Sequence, residues 1–174
     1  MINTWILIYS FFAGNIYADT TSISIPMQNG LICYERSGRE MSHADPSILY
    51  HRCRQWVEKE FAHKEHRIIQ TDQVNRCFRA GISFRVNTAP NGNHYWLKPE
   101  LELCISDTGY VIRLTHYYEK PVEPGITNDY SKIEYRWWDY RKGHPWSNED
   151  TALFTGLNKQ SLLLLISLEK ILRE

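Results

Sequence analysis

Apolar and polar residues alternate through three successive runs between Arg76 and Glu119, the pattern of strands with one buried face. In Arg76 to Val86, Phe78, Ala80, Ile82, Phe84 and Val86 alternate with Cys77, Arg79, Gly81, Ser83 and Arg85. In Tyr95 to Ser106, Tyr95, Leu97, Leu101, Leu103 and Ile105 share one face, and Trp96, Lys98, Glu100, Glu102 and Cys104 share the other. Pro99 removes a ladder donor from that run, which predicts a bulge or an edge nearby. The third run, Gly109 to Glu119, places Tyr110, Ile112, Leu114, His116 and Tyr118 together. The segment NTAPNGN at 87–93 and the pair Asp107-Thr108 supply the turns. Gly30 to Arg36 and Arg67 to Thr71 read as two further strands.

Two stretches carry helical spacing instead. Asp45-Pro46 is a helix start, with Asp as N-cap and Pro in the first turn. Leu49, Cys53, Trp56, Val57 and Phe61 then recur on one face as far as about residue 63. Ser147 or Asn148 can cap a final helix that carries Leu153, Phe154, Leu157, Leu162, Leu165, Ile166, Leu168 and Leu172. Gly156 weakens its first turns. The order is strand, helix, four strands, helix. It predicts an α+β fold with an antiparallel sheet of about five strands and both helices on one face.

Matching apolar faces gives a register, since a slip of one residue would turn every side chain over. Phe78 opposite Leu103 puts Cys77 beside Cys104, Arg79 beside Glu102, and Arg85 beside Trp96. Ile112 opposite Leu103 puts Arg113 beside Glu102. The charge pairs and the apolar pairs agree. Four cysteines allow three pairings, and this register favours Cys77–Cys104. Cys53 falls on the buried helix face and reads as a small core residue. Cys33 has no place in this scheme.

Charge narrows the function classes. Lys+Arg and Asp+Glu balance at 20 each, so the basic excess that drives nucleic-acid binding is absent. Trp5 to Ala13 is apolar but too short to span a bilayer, and Ala18 offers a cleavage point. The expectation is a signal peptide at 1–18, a single domain at 19–174, and export to the periplasm or beyond. No later stretch reads as a membrane span. The histidines and cysteines lack metal spacing, and no G-x-S-x-G elbow occurs, so neither metal nor cofactor is expected.

The unusual feature is an irregular, aromatic-rich segment at 120–150 with three prolines, within which Lys132 to Trp138 has strand character. Tyr130, Tyr135, Trp137, Trp138, Tyr140 and Trp146 crowd into it, with Arg136 and Arg141 among them. Rings of this size either fold back as a small core or anchor a partner. Arg79, Glu102 and Arg113 on the open sheet face form either an anion-binding cluster or a solvated ladder.

At this point the chain resembles a known family. Asp45-Pro46, Leu49-Tyr50, Trp56-Val57 and Phe61 are similar to the helix of a secreted domain-of-unknown-function family with a TBP-like fold, common in Bacteroidetes. Asp107-Thr108-Gly109-Tyr110 through Thr115 resembles its hairpin strand, with Thr108 inserted into the family's tighter Asp-Gly. Lys132-Ile133-Glu134-Tyr135 and the terminal helix also match in position. The resemblance covers Gly30 to Glu174. It implies a curved antiparallel sheet with two helices on one side, and no activity.

The expected function is a non-enzymatic exported binding module for an unknown protein or small ligand, with no nucleic-acid partner. Its candidate contacts are Trp137, Trp138, Tyr140, Trp146, Arg136, Arg79, Glu102 and Arg113. One alternative is an enzyme with a pocket between sheet and helices, with His116, Tyr118 and Glu119 as its first candidates. Another is an immunity or inhibitor protein for an exported toxin.

Overall fold

The computed structural model describes residues 23–39, 41, 43–62, 66–122, 128–136 and 147–174. The leader, Trp137, Trp138, Tyr140, Arg141 and Trp146 lie outside the described residues.

The chain enters through a small hairpin, β1 (Met27–Gln28) and β2 (Leu31–Ile32), and continues into β3 (Tyr34–Gly38). Gly30 to Arg36 is therefore two strands rather than one. The run breaks at Cys33, because β2 pairs back on β1 while β3 pairs with the later strand Gly109–Val122. Asn29-Gly30, with φ values of 51° and 81°, turns the chain between β1 and β2 in two residues. Asn-Gly is the pair best suited to such a turn. Helix α1 (Pro46–Glu60) follows, and the Asp45 carboxylate accepts the Ser47 N–H at 2.7 Å. It buries Leu49, Tyr50, Cys53 and Val57. It carries the chain across to the far edge, where β4 (Arg67–Asp72) begins.

Strands β5 (Cys77–Gly81), β6 (Phe84–Asn87), β7 (His94–Ser106) and β8 (Gly109–Val122) form the meander. With β3, β4 and the short β9 (Ser131–Lys132) they make a seven-stranded antiparallel sheet, ordered β3-β8-β7-β5-β4 along its main path. That exceeds the five strands expected. The surplus of two comes from the splitting of the Arg76–Val86 run at Ile82-Ser83 and from β9. The split leaves the register unchanged, with Cys77 opposite Cys104 and Phe84 opposite Leu97. The expected neighbours Phe78–Leu103, Arg79–Glu102, Arg85–Trp96, Ile112–Leu103 and Arg113–Glu102 are all paired.

After β9 the chain makes a helical turn at 133–136, so strand character ends at Lys132 rather than continuing to Trp138. Helix α2 (Asn148–Arg173) is capped by Ser147, whose hydroxyl accepts the Asp150 N–H at 3.0 Å. Both helices join the inner sheet face in one apolar core, with Leu49, Val57, Phe78, Leu101, Ile112, Leu153 and Leu165 fully or almost fully buried. Gly156 lies where α2 crosses β6, and a Cβ there would collide with a Val86 methyl. The helix tolerates this glycine because the close crossing leaves room for nothing larger.

Pro99 decides what each half of β8 buries. Lys98 pairs with Tyr118 and Glu100 with Thr115, so Pro99 alone stands opposite both His116 and Tyr117. Proline has no N–H to offer the ladder, and β8 bulges there with His116 at φ 51°. The extra residue reverses the facing of everything beyond it. Tyr110, Ile112 and Leu114 point inward before the bulge, and Tyr117 and Glu119 after it. His116 and Tyr118, expected inside by unbroken alternation, are exposed.

Candidate functional site

One polar assembly and one unusual patch follow from that bulge, and a second polar assembly lies ahead of it. On the inner side Glu119 is almost fully buried and meets Arg136. The Arg136 Nε donates to both Glu119 oxygens at 3.0 and 3.1 Å, Nη1 to Asp150 at 2.6 Å, and Nη2 to the Tyr95 hydroxyl at 3.1 Å. Its guanidinium also lies 5.1 Å from the Tyr95 ring centre. Burial raises the Glu119 carboxyl above its ordinary value, and the charge of Arg136 pulls against that rise without cancelling it. Burial works against the Arg136 cation too, but Glu119 and Asp150 outweigh it and its pKa rises. Burial also pushes the Tyr95 phenol up to about 12. Arg136, a candidate surface contact from the sequence, turns its guanidinium into this knot.

The knot has a positional consequence. Arg136 directly precedes the segment 137–146, and Ser147 and Asp150 directly follow it. The Arg136–Asp150 ion pair therefore holds the two flanks of that segment together.

On the opposite face Arg113 bridges two carboxylates, Glu35 at 2.8 Å and Glu102 at 2.9 Å. Arg79 faces Glu102 in register, but its ion pair runs diagonally to Glu100 at 3.3 Å. The Cys77–Cys104 disulfide links β5 to β7 beside this ladder. Cys53 is a buried thiol in the core. Cys33 is buried near Arg113, where its thiol approaches the Gln28 side-chain oxygen at 3.4 Å.

Beyond the bulge the open face changes character. Trp96 stands between Arg85 of β6 and Lys120 of β8. In the next row Tyr118 stands between Lys98 of β7 and Lys132 of β9. The Tyr130 ring centre lies 5.3 Å from the Lys98 ammonium and 5.6 Å from that of Lys120. Among the described residues, no carboxylate pairs with Arg85, Lys120 or Lys132. Sequence reading missed this patch because it placed Tyr118 inside. The signal that could have found it was Pro99, read through to the reversal it causes.

A cleft of about 270 Å³ lies between the helices, lined by Trp56, Glu60, Phe61, Gln160, Leu163 and Ser167 among others. Among the described residues its lining includes no histidine or cysteine. Among the described residues no three His, Cys, Asp or Glu side chains converge as a metal site requires, and no helix is long and apolar enough to cross a membrane.

Sheet, helices and register define an α+β protein of TBP-like fold. A TBP-like protein from Parabacteroides distasonis superposes with a TM-score of 0.61 at 12% identity, over 83% of this chain and 97% of that one. A DUF4468 family protein from Bacteroides ovatus superposes with a TM-score of 0.54 at 14% identity, over 84% of this chain and 83% of that one. Both organisms are Bacteroidetes, in keeping with the resemblance read from the sequence. No protein-family model matches the chain, and no curated protein matches it. At these identities the likeness is one of fold, and function has to be argued from the surface.

Proposed function

We infer that this chain is a non-catalytic binding module that works outside the cytoplasm through the open face of its sheet. The observation that carries the reading is the division of labour between the two faces. One face is sealed by α1 and α2 around a single core. The other carries charged and aromatic side chains over β3, β8, β7 and β5–β6. Arg79, Glu102 and Arg113 stand on that face, and the further candidate contacts Trp137, Trp138, Tyr140 and Trp146 lie outside the described residues. Export is supported by the apolar run Trp5 to Ala13 and by the Cys77–Cys104 disulfide, since disulfides persist in oxidising compartments.

The test is a photo-crosslinker placed on each face of the protein in its host cell. Benzoylphenylalanine at Ser37 or Thr115 samples the open sheet face, and at Thr155 the exposed side of α2. Its ketone inserts into C–H bonds of proteins and saccharides alike. The expected result is a discrete adduct from the sheet positions and none from Thr155. Adducts from neither face, or equally from both, refute the reading.

A further inference from the structure

We propose that the end of the open face formed by β6, β7, β8 and β9 is a binding site for an acidic saccharide; this rests on the open-face reading above. The first ground is charge. The Arg113 ladder is internally neutralised, because each of its arginines has a carboxylate within salt-bridge distance. At the other end, Arg85, Lys120 and Lys132 have none among the described residues, and exposed Asp129 makes no ion pair with them. Cations assembled across three strands with no described carboxylate among them repel one another. A bound anion relieves that repulsion.

The second ground is the rings placed between those cations. Arg85–Trp96–Lys120 forms one row and Lys98–Tyr118–Lys132 the next, with Tyr130 over Lys98 and Lys120. Rows two residues apart lie about 7 Å from each other and strands about 5 Å. Each ring therefore has an ammonium or guanidinium as its direct neighbour. A saccharide presents apolar C–H faces that lie flat on rings, and its carboxylates reach sideways to the flanking cations.

The third ground excludes competitors. At Trp96 and Tyr118 the strands β7 and β8 are paired on both sides, so a peptide lying across these rings finds no free backbone groups beside them. A nucleic acid carries a phosphate for every base and needs a broader basic field than this one, which is bounded by Glu100, Glu102 and Glu35 on the same face. A saccharide with scattered carboxylates fits the smaller footprint.

The test is native affinity electrophoresis of the full chain in gels containing polygalacturonate, neutral dextran or an oligothymidylate. Polygalacturonate should retard the protein, dextran should not, and the oligonucleotide should act more weakly than polygalacturonate. Trp96→Ala and the pair Lys120→Gln/Lys132→Gln should each weaken the retardation at least tenfold. The lysine pair keeps the test valid if Trp96→Ala lowers the melting temperature. No retardation by polygalacturonate, equal or greater retardation by the oligonucleotide, or retardation unchanged in the lysine pair would overturn the proposal. Open-face crosslinks alongside failure of polygalacturonate would sink the saccharide and leave the binding-module reading standing; absent crosslinks would sink that reading itself.

Discussion

Helix α2 is tied to the sheet near both of its ends, at one by an arginine among carboxylates and at the other by a carboxylate among arginines, and the two ties differ in how much water reaches them. At the N-terminal end the Glu119 and Asp150 side chains are 6% and 11% exposed, and Arg136 is held by four donor contacts. At the C-terminal end Glu169 takes Arg36 at 2.8 Å, Tyr110 at 2.8 Å and Arg173 at 2.9 Å, but the two arginines are 40% and 53% exposed. The chemistry is nearly the same, and burial decides what each tie does. In low dielectric a satisfied cluster is unforgiving, because removing one member strands the others. Near water the members are rehydrated when a partner leaves.

The sharpest way to break the comparison is Arg136→Ala. Glu119 and Asp150 would be left buried without their counter-charge, and Tyr95 would lose its donor. The expected loss is about 3–5 kcal/mol, read as a fall of roughly 2 M in the urea midpoint. A loss within about 1 kcal/mol would mean that the cluster is wetter than its geometry shows. Because the same ion pair flanks residues 137–146, Arg136→Ala should also change Trp fluorescence before global unfolding.

The pH dependence separates the two ends by sign. Burial raises the Glu119 carboxyl above 4.5, so the folded protein binds that proton more tightly than the unfolded chain. Its contribution is fully present below 4.5 and is lost as pH rises through the raised value. Hydrogen bonding from Tyr110, helped by Arg173 and Arg36, lowers Glu169 below 4.5. Its contribution is present above 4.5 and is lost as pH falls through the lowered value. The stability of wild type minus Glu119→Gln should therefore grow as pH drops from neutral toward 4.5. Wild type minus Glu169→Gln should shrink below 4.5. Urea titrations across that range measure both differences, and slopes of the same sign would contradict the assignment.

How much of this was legible beforehand follows the same physics. The meander, its register and the Cys77–Cys104 neighbours were legible because period-two alternation and cross-strand charge pairs constrain one another. The Asn29-Gly30 hairpin was legible in principle, through the most specific turn pair there is, but its strands are two residues each and carry no alternation. Pro99 was read as a disturbance but not followed through. One extra residue at His116 sends Glu119 into the core and brings Tyr118 and Lys120 outside, so both the knot and the cationic patch depend on it. The partner of Glu119 lies 17 residues further on, in a segment without periodicity, and no local pattern announces a contact of that kind.

The smallest expected effect is at the wet end. Arg36→Ala removes one of three partners of Glu169 and leaves Tyr110 and Arg173 in place. The lost contact lies near water, where Coulomb attraction is weak and ordering a long side chain opposes it. The expected loss is therefore at most about 1 kcal/mol. Salt gives the finer reading. Raising NaCl from 0.1 to 1 M shortens the screening length from about 10 to about 3 Å, so the Arg36→Ala penalty should fade toward zero. The Arg136→Ala penalty should persist, since most of it comes from desolvated carboxylates that salt does not reach. If both penalties faded together, burial would not be what distinguishes the two ends of α2. The Arg136 cluster would then be an ordinary surface network, and the flanks of the aromatic segment would be held no more firmly than any exposed loop.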